Sequence, residues 1–338
     1  MCTAITYKST DHYFGRNLDL DYSYQEAVTV TPRNYPLSFR CVGTVTRHYA
    51  MIGMATVIDG YPLYYDATNE EGLSMAALNF PGNAVYLPIN NNKDNISPFE
   101  LIPWILAQCS NVEEAMPLLK RINLAEIAFS EELTLSPLHW ILADKHHAIT
   151  IEPLRDGLKI FKNPIGVLTN NPPFDYHMHN LKNYLNLTRE EPTNRLAPQI
   201  DLTPYSRGMG AIGLPGDLSS ASRFIKAAFT KLNSISKDSE SASISQFFHI
   251  LGSVFQQNGC VRVGNGYEKT VYSSCCNVDK GIYYYITYEN SQITGIEMYQ
   301  EDLDGNLVVA YPLVTTQQIR VVNKKSKLKT AKNMNQKN

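Results

Sequence analysis

The sequence has no excess of charge of either sign. Its 338 residues carry 30 Lys and Arg against 32 Asp and Glu, a formal net charge of −2. No basic field therefore exists over the whole chain to hold nucleic acid phosphates. Charged residues are sparse at 18%, below the quarter or so usual in globular proteins. No apolar run approaches the ~18 residues that a membrane-spanning helix needs. The opening Met1-Cys2-Thr3-Ala4-Ile5-Thr6-Tyr7 has no basic stretch leading into an apolar one, so no secretory signal is visible and the expected address is the cytoplasm. Six cysteines, at 2, 41, 109, 260, 275 and 276, form no CxxC pair. That excludes a disulfide scaffold or a zinc clip and makes Cys41, Cys109 and Cys276 read as buried thiols. Tryptophan is nearly missing, with 2 against 12 Phe and 21 Tyr, and many tyrosines suit strands with one apolar face and a wet edge.

What is present is a chain able to build a large core. Apolar residues make up 43%, which excludes wholesale disorder. No internal repeat or sharp shift in composition divides residues 1–322, so they read as one domain. Residues 323–338 hold six lysines and no acid and read as a solvated basic tail.

Residues 2–8 alternate as a strand, turn at Ser9-Thr10-Asp11 and return through Tyr13-Phe14-Gly15-Arg16-Asn17-Leu18-Asp19, a hairpin at the very start of the chain. Further strands are predicted over 28–31, 50–57, 61–66, 73–80, 139–144, 148–152, 158–161, 270–276, 282–288, 293–299 and 306–314. Helices are predicted over 97–119, from Ser219 or Ser220 to 232, and over 244–257, with 183–210 and the Ser-rich 234–243 as loops. Strands and helices do not alternate one for one. Mostly antiparallel sheets with helices packed outside fit better than a doubly wound parallel sheet.

Several motifs are decoys. Gly208-Met209-Gly210-Ala211-Ile212-Gly213 matches GxGxxG, but a polar loop precedes it and Leu214-Pro215 follows, so it reads as a loop shaped for close backbone approach. His146-His147 and His177-x-His179 lack metal-ligand spacing and read as surface or loop histidines. Neither a metal nor an organic cofactor is implied.

Position 2 carries the chemistry. If Met1 is removed, Cys2 holds a thiol nucleophile and a free α-amine in one residue. The amine has a pKa of about 7.7–8.0 and the thiol about 8.5, so a proton passes between them with little driving force, the pattern of an N-terminal nucleophile.

The run Cys2-Thr3-Ala4-Ile5-Thr6, then Phe14-Gly15-Arg16-Asn17-x-Asp19, resembles the choloylglycine hydrolase family of bile salt hydrolases and penicillin V acylases, within the N-terminal nucleophile hydrolases. The likeness continues in Tyr61-Pro62-Leu63-Tyr64-Tyr65-Asp66-Ala67, in Asn69-Glu70-x-Gly72-Leu73 and in Gly166-Val167-Leu168-Thr169-Asn170-Asn171-Pro172. It reappears in Gly213-Leu214-Pro215-Gly216-Asp217 with Ser222-Arg223-Phe224 and spans nearly all of residues 2–314, looking most like the bile salt hydrolases of Gram-positive gut bacteria.

The resemblance implies an α+β fold, a four-layer αββα sandwich. It implies Cys2 as nucleophile, Arg16 beside the thiol, Asp19 orienting the amine, Asn79 and Asn170 as oxyanion donors, and Arg223 keeping the charge balance. It implies hydrolysis of the amide of a conjugated bile salt, a small-molecule partner, and a homo-oligomer, commonly a tetramer. Asn79 favours bile salts, because several penicillin V acylases have Tyr there. Met51, Ile58, Phe80, Leu133 and Leu135 could supply an apolar wall for a steroid. The rivals are a penicillin V acylase or other N-acyl amide hydrolase, and a non-catalytic ligand-binding homologue. Phe255, Ala211 and Ile286 depart from common family residues, and none is among the catalytic positions.

Overall fold

The computed structural model describes residues 1–324, so most of the basic tail lies outside the described residues. Two antiparallel sheets form the centre. One has seven strands: Val167–Leu168, Cys2–Lys8, His12–Leu20, Gly266–Asn277, Ile282–Thr287 and Thr294–Glu297 in spatial order, with Val261–Val263 paired to Gly266–Asn277. The other has eight: Gly157–Lys162, Ala148–Leu154, Leu138–Ala143, Ser74–Asn79, Tyr61–Asn69, Met51–Ile58, Ala27–Thr31 and Val309–Pro312.

Strand periodicity builds the layers. In Ser74–Asn79, Ala76 and Leu78 enter the core between the sheets, while Met75 and Ala77 enter a second core on the outer face. Leu138–Ala143 divides the same way, Ile141 and Ala143 inward, Trp140 and Leu142 outward. The outer core is closed by the helices Leu101–Leu106 and Val112–Arg121. On the other side Phe174–Leu181, Ser220–Asn233 and Glu240–Gly252 cover the seven-stranded sheet, with Phe247 against Tyr7 and Tyr13. The result is the four-layer αββα sandwich.

The helix predicted over 97–119 is in fact broken. A short 3-10 turn Pro98–Glu100 leads into Leu101–Leu106, the chain leaves helix at 107–111, and Asn111 restarts it by accepting a hydrogen bond from Glu114 N at 3.0 Å. Similarly, Ser239 caps a helix that begins inside the predicted Ser-rich loop. Phe174–Leu181 is a helix the sequence did not announce, and Cys41 is exposed rather than buried. The GxGxxG segment lies in a loop, as expected, with one 3-10 turn at Met209–Ala211. A Cβ at Gly210 would lie 2.1 Å from Glu190 O, so only glycine fits.

Polar residues knit the two sheets together. Asp66 crosses the gap to accept hydrogen bonds from Tyr272 at 2.7 Å and Tyr283 at 2.6 Å, all three buried. A bulge in Tyr61–Asn69 leaves Tyr65 without a ladder partner, since Met54 faces Asp66 and Ala55 faces Tyr64. The freed Tyr65 carbonyl accepts from Arg16 Nη1 at 3.1 Å. Tyr272→Phe removes a donor from a buried carboxylate and is expected to cost about 1–3 kcal/mol, read from urea denaturation midpoints. A midpoint equal to wild type would show that this bond adds nothing to the fold.

Candidate active site

The first strand places Cys2. Cys2 pairs with Leu18 and Ala4 with Arg16 in the antiparallel ladder. Opposed residues share a face, so the Cys2 and Arg16 side chains both point toward the eight-stranded sheet. Gly15 lets Gly266–Asn277 pair on the other side of His12–Leu20, because a Cβ there would lie 2.0 Å from Ser274 O.

Arg16 has no exposed surface. Its Nη1 donates to Tyr65 O and Ala77 O, and its Nη2 has no partner among the described residues. Burial acts to lower its pKa, yet Cys2, Tyr272, Asp66 and Asp19 outweigh burial and raise it, so the guanidinium stays charged.

Asp19 also sits beside a bulge. Thr270 faces Asp19 and Tyr272 faces Leu18, so Val271 is the extra residue. Thr270 Oγ1 donates to Asp19 Oδ1 at 2.7 Å, and Oδ2 has no partner among the described residues. Burial pushes the carboxyl up, while Arg223, the terminal amine, Thr270 and Arg16 pull it down. The terminal amine here is that of Met1, which donates to Asp19 O at 2.8 Å and lies against Glu268. Burial lowers its pKa.

Asn170 gathers the remaining groups. Its Oδ1 accepts from Cys2 N at 2.8 Å and from Arg223 Nη2 at 2.7 Å, and its Nδ2 donates to Asn79 O at 2.6 Å. Arg223 also donates to Cys2 O, to Thr3 Oγ1 at 2.7 Å and to Leu218 O at 3.0 Å. It occupies the first turn of Ser220–Asn233, whose start is set by Ser219 capping Ser222 N and by Asp217 accepting from Ser219 N and Ser222 Oγ. The six residues singled out from sequence therefore converge: Cys2, Arg16, Asp19, Asn170 and Arg223 are buried around one point, with Asn79 half-buried at its rim. Such a cluster can hold a thiol, orient an amine at its own residue and meet developing negative charge with fixed cations.

The apolar wall is placed differently from expectation. Met51 has no exposed surface and lies in the outer core beneath the helices, so it faces no ligand. Phe80 is likewise fully buried, stacked on His139 with centroids 4.2 Å apart. Ile58, Leu133 and Leu135 are half-buried and remain available as wall residues. A cavity of about 920 Å³ lies at the far end of the first strand, lined by Thr6, Tyr7 and Lys8 among others, and Cys2 is not one of its walls.

Sequence reading missed three residues. His177 is buried, not a loop histidine, because its ring stacks on Phe224 at 4.8 Å and its Nε2 donates to Asn170 O at 2.9 Å. His139 and Glu152 lie buried behind Asn170. A lone His and a lone Glu carry no spacing signal, so nothing in the chain marked them. No group of metal-ligating side chains occurs among the described residues, and no described helix is long and apolar enough to cross a membrane.

Comparison with known proteins agrees with this geometry. The model of the linear amide C–N hydrolases, choloylglycine hydrolase family, matches residues 2–311. The chain is 56% identical to a bile salt hydrolase/transferase of Lactiplantibacillus plantarum, over 96% of this chain and 100% of that one. A solved structure of a variant of conjugated bile acid hydrolase from Clostridium perfringens superposes with TM-score 0.89 at 39% identity, covering 96% of this chain and 100% of that one. Penicillin V acylase from Agrobacterium tumefaciens shares the fold, with TM-score 0.72 at 18% identity over 91% of this chain and 90% of that one.

His177 makes a pH prediction. Burial pushes its pKa from 6.5 down to about 4. The unfolded chain takes up that proton first as pH falls, so the stability from neutral His177 is whole above 6.5 and is lost on the way down to about 4. The non-titrating His177→Gln should lose less stability than wild type between those limits. Parallel denaturation midpoints for the two proteins would refute this.

Proposed function

The chain belongs to the linear amide C–N hydrolases of the choloylglycine hydrolase family, and from this premise we propose that it cleaves the amide of conjugated bile salts, releasing glycine or taurine, with Cys2 as nucleophile. The observation that carries the reading is the convergence of Arg16, Asp19, Asn170 and Arg223 on Cys2 within buried space. Surface ion pairs and turn-capping acids would not be assembled this way.

Removal of Met1 converts the Cys2 nitrogen from an amide into an amine. That nitrogen already donates to Asn170 Oδ1, and the orphaned Asp19 Oδ2 is free to receive a second hydrogen. The amine then takes the thiol proton as Cys2 Sγ attacks the substrate carbonyl carbon. Arg16 favours the thiolate through its fixed charge. The oxyanion of the tetrahedral intermediate is met by Asn79 and by the remaining Nδ2 hydrogen of Asn170, each such donor lowering the barrier by roughly 2.7–4 kcal/mol. The C–N bond breaks, the amine returns the proton to the leaving nitrogen, and a thioester remains on Cys2. Water, deprotonated by the same amine, hydrolyses it to the free acid. Arg223 holds Cys2 O and Asn170 Oδ1 together through both steps. Ile58, Leu133 and Leu135 would form part of the acyl wall.

The reading extends to a cytoplasmic homo-oligomer, expected as a tetramer. The segment 185–212 supports self-association, since its Leu185, Leu196 and Tyr205, 85%, 89% and 85% exposed, offer apolar side chains for a second copy to cover. Light scattering should give a multimer that Leu196→Asp with Tyr205→Asp dissociates. A monomeric wild-type protein would remove this part of the proposal.

The functional test is release of glycine and taurine from glycocholate and taurocholate, with penicillin V in parallel. Cys2→Ala should abolish release, and a protein retaining Met1 should be inactive. Faster turnover of penicillin V than of either bile salt would transfer the assignment to penicillin V acylase. No turnover of any of them, with Met1 shown to be absent, would leave a hydrolase of another N-acyl amide or a binding protein.

A further inference from the structure

His139 and Glu152 have no exposed surface and sit on the neighbouring strands Leu138–Ala143 and Ala148–Leu154. His139 Nε2 lies 2.9 Å from Thr169 O, and Nδ1 lies 3.0 Å from Glu152 Oε1. A carbonyl oxygen only accepts, so Nε2 carries a hydrogen. One further proton lies between Nδ1 and the carboxyl, and the Glu152 oxygens also accept from Phe174 N at 3.1 and 3.2 Å. A buried pair of this kind adds little net stability over apolar residues of the same volume, because desolvation offsets the attraction. Its contacts point to another role.

The imidazole edge grips the carbonyl of Thr169, the residue immediately before Asn170. The imidazole face carries Phe80, the residue immediately after Asn79, in a stack of 4.2 Å and 6°. The strand ladder repeats the link, with Leu138 opposite Asn79 and His139 opposite Leu78. One side chain thus touches the neighbours of both amide residues, which themselves meet where Asn170 Nδ2 donates to Asn79 O at 2.6 Å. Ser220 Oγ accepts from Asn170 N at 2.8 Å and His177 donates to Asn170 O at 2.9 Å, holding the far side of the same residue.

We propose that His139, with its Nε2 hydrogen given to Thr169 O and its Nδ1 held by Glu152, is a positioning residue that holds Asn79 and Asn170 in register for the substrate carbonyl oxygen. The role rests on the reading of that cluster as the amide-hydrolysing site. Donors aimed at charge that develops only in the transition state act on kcat rather than on substrate binding. Small displacements of such donors are costly, and groups supporting a site from behind commonly matter by about 10–100-fold.

The test uses the processed, full-length enzyme. His139→Leu with Glu152→Gln removes the imidazole, while the amide oxygen introduced at position 152 still accepts from Phe174 N. His139→Gln keeps an N–H near the Nε2 position and serves as the rescue. For glycocholate, the double variant should lose about 10–100-fold in kcat, with KM and the rate of iodoacetamide labelling at Cys2 each within about twofold of wild type. His139→Gln should recover most of the loss. Unchanged kcat, or a fall in kcat matched by slower Cys2 labelling and a lower melting temperature, would overturn the proposal, because a purely structural role moves all of these together. Should wild type turn over no bile salt, the functional reading fails, and the crystal structure of the double variant decides the positioning role alone. An Asn170 Nδ2 to Asn79 O separation beyond hydrogen-bonding distance supports it; a contact unchanged from 2.6 Å rejects it.

Discussion

A guanidinium with no exposed surface lies between two sheets, and the rest of the molecule is arranged around that fact. Taking the Arg16 charge out of water costs several kcal/mol unless it is met by acceptors and opposite charge. The eight-stranded sheet supplies the carbonyls of Tyr65 and Ala77, and Asp66 and Asp19 supply compensating negative charge. Those acceptors exist only at one separation of the sheets. The Asp66 bonds to Tyr272 and Tyr283 hold that separation, and the bulge at Tyr65 turns a ladder carbonyl toward the cation. The thiol at position 2 inherits its electrostatic surroundings from this arrangement.

A chain terminus ordinarily frays, so the nucleophile proposed at position 2 needs to be pinned. The strand Cys2–Lys8 is an internal strand, paired to His12–Leu20 on one side and Val167–Leu168 on the other. Arg223 and Asn170 hold its first residue from outside the ladder. Order at the terminus therefore comes from long-range contacts, and the site is made of residues from strands, a loop and a helix that meet only when both sheets have formed.

Much of this was legible in the chain and some was not. The first hairpin, most strands of both sheets and the helix carrying Arg223 announced themselves by alternation, turn residues and the Ser219 cap, all local signals, while the short strands Val167–Leu168 and Val261–Val263 did not. The break at 107–111 was passed over because the segments on either side of it are both helical, although Asn111 with Glu114 three residues on is itself a cap signature. The helix Phe174–Leu181 and the burial of His177 depend on Phe224, far away in sequence. His139 and Glu152 are thirteen residues apart on paired strands, a spacing with no meaning until the ladder is built. Met51 and Phe80 misled because an apolar residue beside a site and one in the core behind it look the same in sequence.

The sequence by itself determined a globular α+β chain without a membrane-spanning run and a thiol at position 2, and its resemblance to the choloylglycine hydrolase family pointed to Arg16, Asp19, Asn79, Asn170 and Arg223 as that thiol's partners. Residue order suffices for that, because several separated motifs in one order carry the resemblance, and a thiol beside a terminal amine has intrinsic chemistry. Only the tertiary structure decided that Asn170 is the hub joining Cys2, Arg223 and Asn79, that two bulges aim Tyr65 O and Thr270 at Arg16 and Asp19, and that His139 stands behind both amides. Those relations are set by sheet register, strand bulges and the packing of distant segments, and a β-ladder register shifted by a single residue would turn the strand-borne side chains among them to the opposite face.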